Sequence, residues 1–521
     1  WVIRAFNDNL GYDDFVRYQL AGDLFPDASD DQLVASGFNR LHLIIDRGTA
    51  LPEESFYKNV VDRVTAVGTA FMGLTMQCAV CHDHKYDPIT QKDFFQMYAF
   101  FNSFDGGPET GGRGGSDFKR GLQPPYIELP TPAQAQKLAA LDQRERVLAE
   151  DLKALKTTAE KPAAAIKAKA AEIMKLQGDR VKLRETVRAA MVMSERSEPR
   201  PAHILFRGAY DQPGEKVERN TPEFLPPLKA GGKTPDRMDL ANWLVGAENP
   251  LAARVAVNRF WQQFFGVGLV KTAEDFGAQG EWPSHPELLD HLTRRFVESG
   301  WDVKALVRSI VLTETYQQSS IAARERFLED PDNRLLARGS RFRLDSEMIR
   351  DQILAVSGLL NPEMFGPSVK PPQPEGLWKI VAMPSSYPRV FKADSGDKIY
   401  RRSVYSFWKR GLPPPQMTIF DAPTREACIA RRERTNTPLQ ALVLMNDPQF
   451  IEAARHLAAN AIKACGDNES GRLNHIAQRI LGRSFDDGEI ALIGKSIQSY
   501  TGTYKADPKA AAELIAIGES E

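Results

Sequence analysis

Apolar residues recur at helical spacing through much of the 521-residue chain. The segments VVDRVTAVGTAFMGL (60–74) and QKDFFQMYAFFNSF (91–104) carry them three and four positions apart, which is typical of one buried helix face. The same spacing returns in ARVAVNRFWQQFFG (253–266), HPELLDHLTRRFVESG (285–300) and FIEAARHLAANAIKA (450–464). This pattern predicts a protein built mainly from amphipathic α-helices.

Two segments depart from the helical pattern. HILFRGAYDQPGEKV (203–217) predicts a short β-hairpin, and YRRSVYSFWKR (400–410) alternates like a strand. Gly-rich residues 106–125 and Pro-rich residues 361–435 predict loops. We therefore expect a mainly α, multi-domain helical protein with long ordered Pro- and Gly-rich loops.

A helical insert of different composition follows the first loop. Residues 132–193 are rich in Ala, Lys, Glu, Leu and Arg, and Pro162 interrupts them once. Two helices around that break, packed as an antiparallel coiled-coil hairpin, fit this composition. We therefore predict three parts, namely a helical domain over 1–131, the coiled-coil insert over 132–196 and a second, mainly helical domain over 197–521.

Charge and hydropathy exclude some partners. The chain has 67 Lys and Arg against 68 Asp and Glu, so its formal charge of −1 gives no reason to expect nucleic acid or an anionic membrane. No apolar run approaches the roughly 18 residues that would predict a membrane span. The chain begins at Trp1 within a helical pattern, so we expect it to be a piece of a longer protein.

The segment MQCAVCHDHKYDP (76–88) carries the chain's most specific chemical motif. Cys78, Cys81 and His82 form C-x-x-C-H, the attachment signature of haem c. Each thiol can form a thioether with one haem vinyl group, and the adjacent histidine then reaches the iron as proximal ligand. The motif predicts one covalent haem c in this chain.

Three other interpretations of the cysteine pair stay open. Zinc needs four ligands, and no second C-x-x-C is present, although His84 and a remote histidine can complete a set. A thioredoxin-like pair needs a βαβ context that the preceding residues do not predict. A disulfide across two residues would be strained. Cys428 and Cys465 lie far away and are either a second disulfide or two separate buried thiols.

The sixth iron ligand would decide the chemistry. A firmly bound His or Met gives an electron carrier, whereas an open position permits ligand binding. We favour His42 as the distal ligand because it is on another segment, with Met76 and Met97 as alternatives. Four residues near His82 are candidates for tuning the iron or holding the haem propionates: Asp83, His84, Lys85 and Asp87.

Basic and aromatic residues cluster in the Pro-rich part of the second domain. Side chains of this kind can bind a sugar, a carboxylated substrate or a partner protein. The alternative is structural, with Arg side chains tying loops to Asp421, Glu426 and Asp447. The candidates are Arg401, Arg402, Tyr405, Trp408 and Arg410.

Several long motifs give the chain a clear resemblance to the planctomycete cytochrome c-type (PSCyt) family of paired domains. The first domain of that family is matched by GFNR (37–40), VDRV (61–64), GLTMQCAVCHDHKYDPIT (73–90) and YAFFN (98–102). The second is matched by six segments: 249–270, 274–292, 343–351, 400–410, 420–423 and 434–450. Related chains often read CHVTTNEGG after GFNR, whereas this one reads LHLIIDRGT and keeps only the histidine, His42.

The resemblance implies an exported, periplasmic haem c protein that works as an oxidoreductase or in electron transfer with a redox partner protein. A sugar or polysaccharide is the substrate class that it suggests. Two alternatives remain, namely a non-catalytic electron-transfer or scaffold subunit, and a zinc-stapled carbohydrate-binding protein.

Overall fold

The computed structural model describes residues 1–42, 51–106, 121–158, 162–381 and 390–520. These residues form 21 α-helices and four short strands, which confirms the mainly α fold. The chain divides into two compact units, Trp1–Arg341 with Ala427–Ala430, and Phe342–Glu426 with Arg431–Glu521. No helix within the described ranges has the length and apolar character needed to cross a bilayer.

The first unit contains thirteen helices and all four strands among its described residues. The helices are α1 Val2–Asn7, α2 Tyr12–Ala21, α3 Asp30–Ala35, α4 Pro52–Val67, α5 Gln91–Phe101, α6 Pro132–Thr157, α7 Ala163–Glu185, α8 Arg237–Leu244, α9 Ala252–Phe265, α10 Pro286–Glu298, α11 Val303–Val311, α12 Glu314–Gln317 and α13 Arg324–Glu329. The strands are β1 Tyr126–Leu129, β2 Arg188–Met191, β3 Ala202–Leu205 and β4 Pro213–Val217.

One hydrophobic core joins the helices on both sides of the insert. Val16, Val64, Phe95, Val257 and Phe296, one each from α2, α4, α5, α9 and α10, are at most 1% exposed and belong to one cluster. Fully burying each such side chain contributes on the order of 1.5–3 kcal/mol. The amphipathic faces that the sequence predicts for these helices therefore pack against one another.

A buried ion pair adds specificity to this core. Arg237, at the start of α8, donates from its two terminal nitrogens to the carboxylate of Asp23 at 2.8 and 2.6 Å, and to the Leu20 carbonyl at 2.7 Å. The two charged side chains are 1% and 6% exposed. Burial works against the charged guanidinium, but the Asp23 carboxylate outweighs it and raises the pKa of Arg237. Such a pair is costly to break because the remaining charge stays buried.

The insert is the antiparallel helical hairpin that its composition predicts. Ion pairs join α6 and α7, with Arg180 bonded to Asp142 at 3.1 Å and Lys169 bonded to Asp151 at 2.7 Å. The later residue of α7 pairs with the earlier residue of α6, so the two helices run antiparallel. At the base, β1 and β2 pair antiparallel. Most of the hairpin surface is exposed, and only Leu148 is fully buried within the two helices.

The short β-hairpin is also confirmed. β3 and β4 pair antiparallel, with Ala202 opposite Val217 and Leu205 opposite Pro213. Between them, Arg207 and Gly208 both adopt positive φ angles, 50° and 71°. This pair of left-handed residues turns the chain sharply after β3.

The second unit contains eight helices among its described residues and a smaller core around Leu354, Ile399 and Tyr400. The strand predicted over 400–410 is wrong. Residues there form 3₁₀ turns and isolated bridges, because Arg401 and Ser403 point inward. Arg401 donates to loop carbonyls, whereas Ser403 bonds to Arg350 and Asp351 of a helix, so neither joins a neighbouring strand. The helices are α14 Ser346–Ser357, α15 Leu377–Val381, α16 Pro415–Ile419, α17 Pro438–Asn446, α18 Pro448–Cys465, α19 Glu469–Leu481, α20 Asp487–Ala506 and α21 Pro508–Ile515.

The compact units divide the chain at 341/342, whereas the sequence boundaries were expected at 131/132 and 196/197. The insert and the β-hairpin belong to the first unit. The three sequence domains stay a prediction about modular organisation. Most of the Gly-rich loop over 106–125 and most of the divergent LHLIIDRGT segment lie outside the described residues.

Candidate functional site

The cysteine motif occupies a short exposed turn beside the core of the first unit. α4 continues into a π-helical turn, Gly68–Met72, and a 3₁₀ helix follows over Met76–Val80. The apolar side chains of this 3₁₀ helix are buried, while Cys78, Cys81 and His82 are exposed. The turn therefore presents both thiols and the imidazole at the surface.

His82 has the protonation pattern of a metal-binding histidine. Its Nδ1 lies 2.6 Å from the carbonyl oxygen of Asp83. A carbonyl can only accept, so Nδ1 carries the proton and donates, which leaves Nε2 with an available lone pair. A hydrogen bond from the second ring nitrogen to a carbonyl is the usual way to orient a ligating imidazole.

His84 has the opposite pattern and braces the loop. Its Nδ1 accepts from the backbone N–H of Asp87 at 2.9 Å and of Tyr86 at 3.3 Å, so Nε2 is protonated and donates to Thr75 Oγ1 at 3.1 Å. Asp87 Oδ2 lies 3.4 Å from the same Nδ1. Although Thr75, His84 and Asp87 stand in the order of a hydrolytic triad, this tautomer cannot take a proton from the threonine.

Asp87 fastens the loop to a distant segment. Its side chain is 3% exposed, and Oδ1 accepts from the backbone N–H of Ala278 at 2.6 Å. A Cβ on Gly277 would lie 2.4 Å from both carboxylate oxygens, so only glycine allows this approach. His84 thus uses both ring nitrogens inside the protein, and Asp87 uses Oδ1, while Asp87 Oδ2 is buried without a hydrogen bond from the described residues.

Asp83 and Lys85 are the exposed charged neighbours of His82. Asp83 Oδ1 accepts from the backbone N–H of Gln91, at the start of α5, and Lys85 Nζ lies 4.9 Å from the ring centroid of Tyr86. Their roles in tuning an iron or holding propionates stay predictions.

The turn after β3 lies directly over the cysteine pair. A Cβ on Gly208 would lie 3.0 Å from Cys81 Sγ and 3.2 Å from the Val80 carbonyl oxygen. Gln91 holds the two segments together, because its Nε2 donates to the carbonyls of Val80 and Leu205 at 2.9 Å each. The C-terminal end of β3 is therefore part of the site.

A cavity of about 350 Å³ opens beside this turn. Its lining combines aromatic side chains with charged and polar groups, which include Glu53, Asn102, Arg200 and His203. Burial and the nearby Cys81 together raise the pKa of Tyr57, in the cavity wall, to about 12. Six of its lining residues are Phe56 and Tyr57 of α4, Tyr98 of α5, His203 and Leu205 of β3, and Tyr210.

These observations fit covalent haem c. Two exposed free thiols stand three positions apart, and the histidine after the second presents an unprotonated Nε2. The described residues support a zinc site less well than a haem attachment site. Among the residues that the structure describes, no three His, Cys, Asp or Glu side chains converge on one point in a metal-holding group.

The favoured distal-ligand candidate, His42, and its two alternatives, Met76 and Met97, are all buried. Met76 and Met97 are 0% exposed within the main hydrophobic cluster, and Met76 packs against Gly68, whose added Cβ would lie 2.4 Å from Met76 Cγ. A core role accounts for both methionines. His42 is 4% exposed and follows the 3₁₀ helix Ser36–Arg40. Its role as distal ligand stays a prediction.

Arg401 and Tyr405, two of the candidates in the second unit, hold a loop in place. Arg401 is 3% exposed, stacks 4.1 Å from the Tyr405 ring centroid, and donates to the carbonyls of Pro367 (3.0 Å) and Phe365. The Tyr405 hydroxyl accepts from the Phe365 N–H at 2.6 Å. These contacts favour the structural alternative for this pair.

The other three candidates are more accessible. Trp408 donates from Nε1 to the Thr424 carbonyl at 3.2 Å and carries Arg425 stacked at 4.0 Å from a ring centroid. Arg402 is exposed, and Arg410 is partly exposed. A substrate or partner role for this loop stays a prediction.

Arginine side chains do tie segments of this unit together. Of the acidic partners predicted from the sequence, Asp421 is one that they use. Arg343 donates to Asp421, and Arg432 reaches both carboxylate oxygens of Glu347, at 2.6 and 3.2 Å. Cys428 is exposed and Cys465 is partly exposed, and both are free thiols. The expectation of two buried thiols is therefore wrong, and the disulfide does not form.

Neither His203 nor Gly208 was predicted from the sequence as part of the site. Both lie in the predicted hairpin, but about 120 residues separate them from the cysteines, and no spacing rule joins the two segments. The local signal for the turn was Gly208 itself, a glycine three residues after the end of β3.

Comparison with known proteins places this helical protein, with its exposed cysteine–histidine turn, among the paired cytochrome-like domains of planctomycetes. Residues 236–497, half of the chain, match the family described as PSD1, protein of unknown function (DUF1553), and the chain belongs to that family. Residues 1–106 match PSCyt2, protein of unknown function (DUF1549). No curated protein and no solved structure matches the chain.

Proposed function

We propose that this chain is an exported c-type haem protein that carries out electron transfer as part of an oxidoreductase. The observation that carries the proposal is the exposed turn with free thiols at Cys78 and Cys81 and with His82 in the tautomer that leaves Nε2 available. A haem c supplies one-electron chemistry when bound. The periplasm is the proposed compartment, because haem c is attached outside the cytoplasmic membrane.

The chain's own residues would perform three tasks. Cys78 and Cys81 would hold the haem covalently, and His82 would supply the proximal nitrogen. The carbonyl of Asp83 fixes the orientation of the His82 ring. The hydrogen bonds of His84 would hold the loop in one conformation, so that the loop reorganises little when the charge at the site changes.

The substrate class that we propose, a sugar or polysaccharide, rests on the family resemblance. It is tested by adding candidate sugars to the oxidised protein and following haem reduction. Haem that is reduced only by an added redox protein would favour the electron-transfer or scaffold subunit instead.

The decisive experiment is an absorption spectrum of protein produced with a cytochrome c maturation system, oxidised and then reduced with dithionite. Acid–acetone extraction follows. Sharp reduced bands that remain with the protein, and an intact mass raised by one haem, would support the proposal. A colourless chain of unmodified mass would refute it.

Matched cysteine variants sharpen this test. Cys78→Ala and Cys81→Ala should each leave at most one thioether, and the double variant should lose all covalent haem. Cys428→Ala is the control, because it also removes an exposed free thiol of the first unit but lies outside the motif. Loss of haem from the Cys428 variant would contradict the assignment.

A further inference from the structure

His203 stands at the site in a state suited to binding a metal. Its Nδ1 lies 3.1 Å from the Gly214 carbonyl oxygen on the neighbouring strand, so Nδ1 donates and Nε2 is left with an available lone pair. This is the same tautomer that the Asp83 carbonyl imposes on His82. Two histidines of one unit are therefore each oriented by a backbone carbonyl.

The position of His203 connects it to the cysteines. His203 and Leu205 both belong to β3, with a register irregularity between them, and both line the 350 Å³ cavity. From Leu205 the chain runs through the left-handed turn to Gly208, which packs against Cys81 Sγ. Gln91 clamps the end of β3 to the cysteine turn.

The cavity wall is suited to a flat aromatic group. Tyr57 and Tyr98 supply aromatic surface, with their ring centroids 6.1 Å apart. Phe56 is covered by the Arg200 guanidinium, 4.4 Å from its ring centroid, so the wall also offers a cation. The volume of about 350 Å³ is at the low end of ligand cavities and takes part of a macrocycle, with the remainder outside it. Arg207 and Phe206 in the adjoining turn are both exposed.

We infer that His203 is the second axial ligand of a haem held by Cys78, Cys81 and His82, and that the cavity lined by His203 receives part of the porphyrin. The inference rests on the proposed function. With imidazoles on both sides, the iron is six-coordinate, and the site is an electron carrier rather than a place where a small ligand binds to iron. His203 lies between the two family matches, outside both.

The test compares full-length holoprotein with three histidine variants. His203→Ala removes the ligand, and His203→Met replaces the imidazole by a thioether that can still bind iron. His291→Ala is the control, because His291 is an exposed histidine on α10 of the same unit. Circular dichroism checks folding, and intact mass checks that haem is attached.

We expect wild-type protein and the His291 variant to be low-spin and unreactive to carbon monoxide. His203→Ala should keep covalent haem but become high-spin and bind carbon monoxide, and added imidazole should restore the low-spin spectrum. His203→Met should stay folded with a raised reduction potential, because a Met/His ligand pair raises the potential of a c-type haem.

Three results would overturn the inference, and they are distinguishable from one another. Haem-loaded His203→Ala and His203→Met that keep the wild-type spectrum and potential would show that the ligand lies elsewhere. A haem-loaded wild type that is high-spin would show an open sixth position while leaving the proposed function intact. Wild-type protein without covalent haem would refute both.

Discussion

The contact between Gly208 and Cys81 can be tested by adding a single methyl group. In Gly208→Ala the new Cβ would lie 3.0 Å from Cys81 Sγ and 3.0 Å from Val80 Cγ1. Gly208 also has a φ of 71°. Gly231 is the matched control, because its φ is 61° and no heavy atom lies within 4 Å of its added Cβ.

The two substitutions share the backbone cost but not the contact. A left-handed conformation costs an L-residue about 1–2 kcal/mol, and both variants incur it. Overpacking a tight position costs about 1–3 kcal/mol more, and only Gly208→Ala incurs that. We therefore expect Gly208→Ala to lose about 1–3 kcal/mol more unfolding free energy than Gly231→Ala.

Urea unfolding of the haem-free protein measures this difference directly. Repeating both substitutions in a Cys81→Ala background isolates the sulfur, because that background removes Sγ but keeps Val80. A coupling free energy of about 0.5 kcal/mol or more between positions 208 and 81 is expected for residues in contact. Control position 231 should show no coupling to Cys81.

Equal losses for Gly208→Ala and Gly231→Ala would refute the reasoning. They would mean that the turn after β3 does not press on the cysteine segment. The placement of the cavity beside Cys81, and with it the case for His203, would then lose its main geometric support.

Further predictions concern stability. Arg237→Met should cost about 3–5 kcal/mol in urea unfolding, because it leaves the Asp23 carboxylate buried and unpaired, and the double variant that also replaces Asp23 by Leu should recover most of this loss. Arg180→Ala, which removes two partly buried ion pairs of the helical hairpin, should cost about 1 kcal/mol by the same measurement. Although burial works to raise it, the hydrogen bond and charge of Arg432 lower the pKa of Glu347, so its contribution is present above the unfolded pKa of about 4.3 and is lost as pH falls through the lower folded value. The stability difference between wild type and Glu347→Gln, measured from pH 7 downward, should therefore shrink below about pH 4, and a gap that stays constant to lower pH would contradict this assignment.

Local patterns predicted those parts of the fold that depend on neighbours in sequence. The helices at 60–74 and 91–104 follow from apolar spacing, and the hairpins follow from composition and turn residues. The strand predicted over 400–410 failed because Arg401 and Ser403 alternate inward to bond with α14 and with loop carbonyls, and the sequence pattern cannot distinguish this from packing on a sheet.

The sequence by itself determined the helical class and the antiparallel insert, since both depend on local composition and spacing, and it predicts the chemistry of the cysteine motif. Only the tertiary structure decided which histidines have an available nitrogen, because that depends on the carbonyls of Asp83 and Gly214. It also decided that His84 is a brace and that the turn at Gly208 covers Cys81. The contacts of His203 and Gly208 with the site form when the core brings β3 against α5, and chain separation hides them from any local pattern.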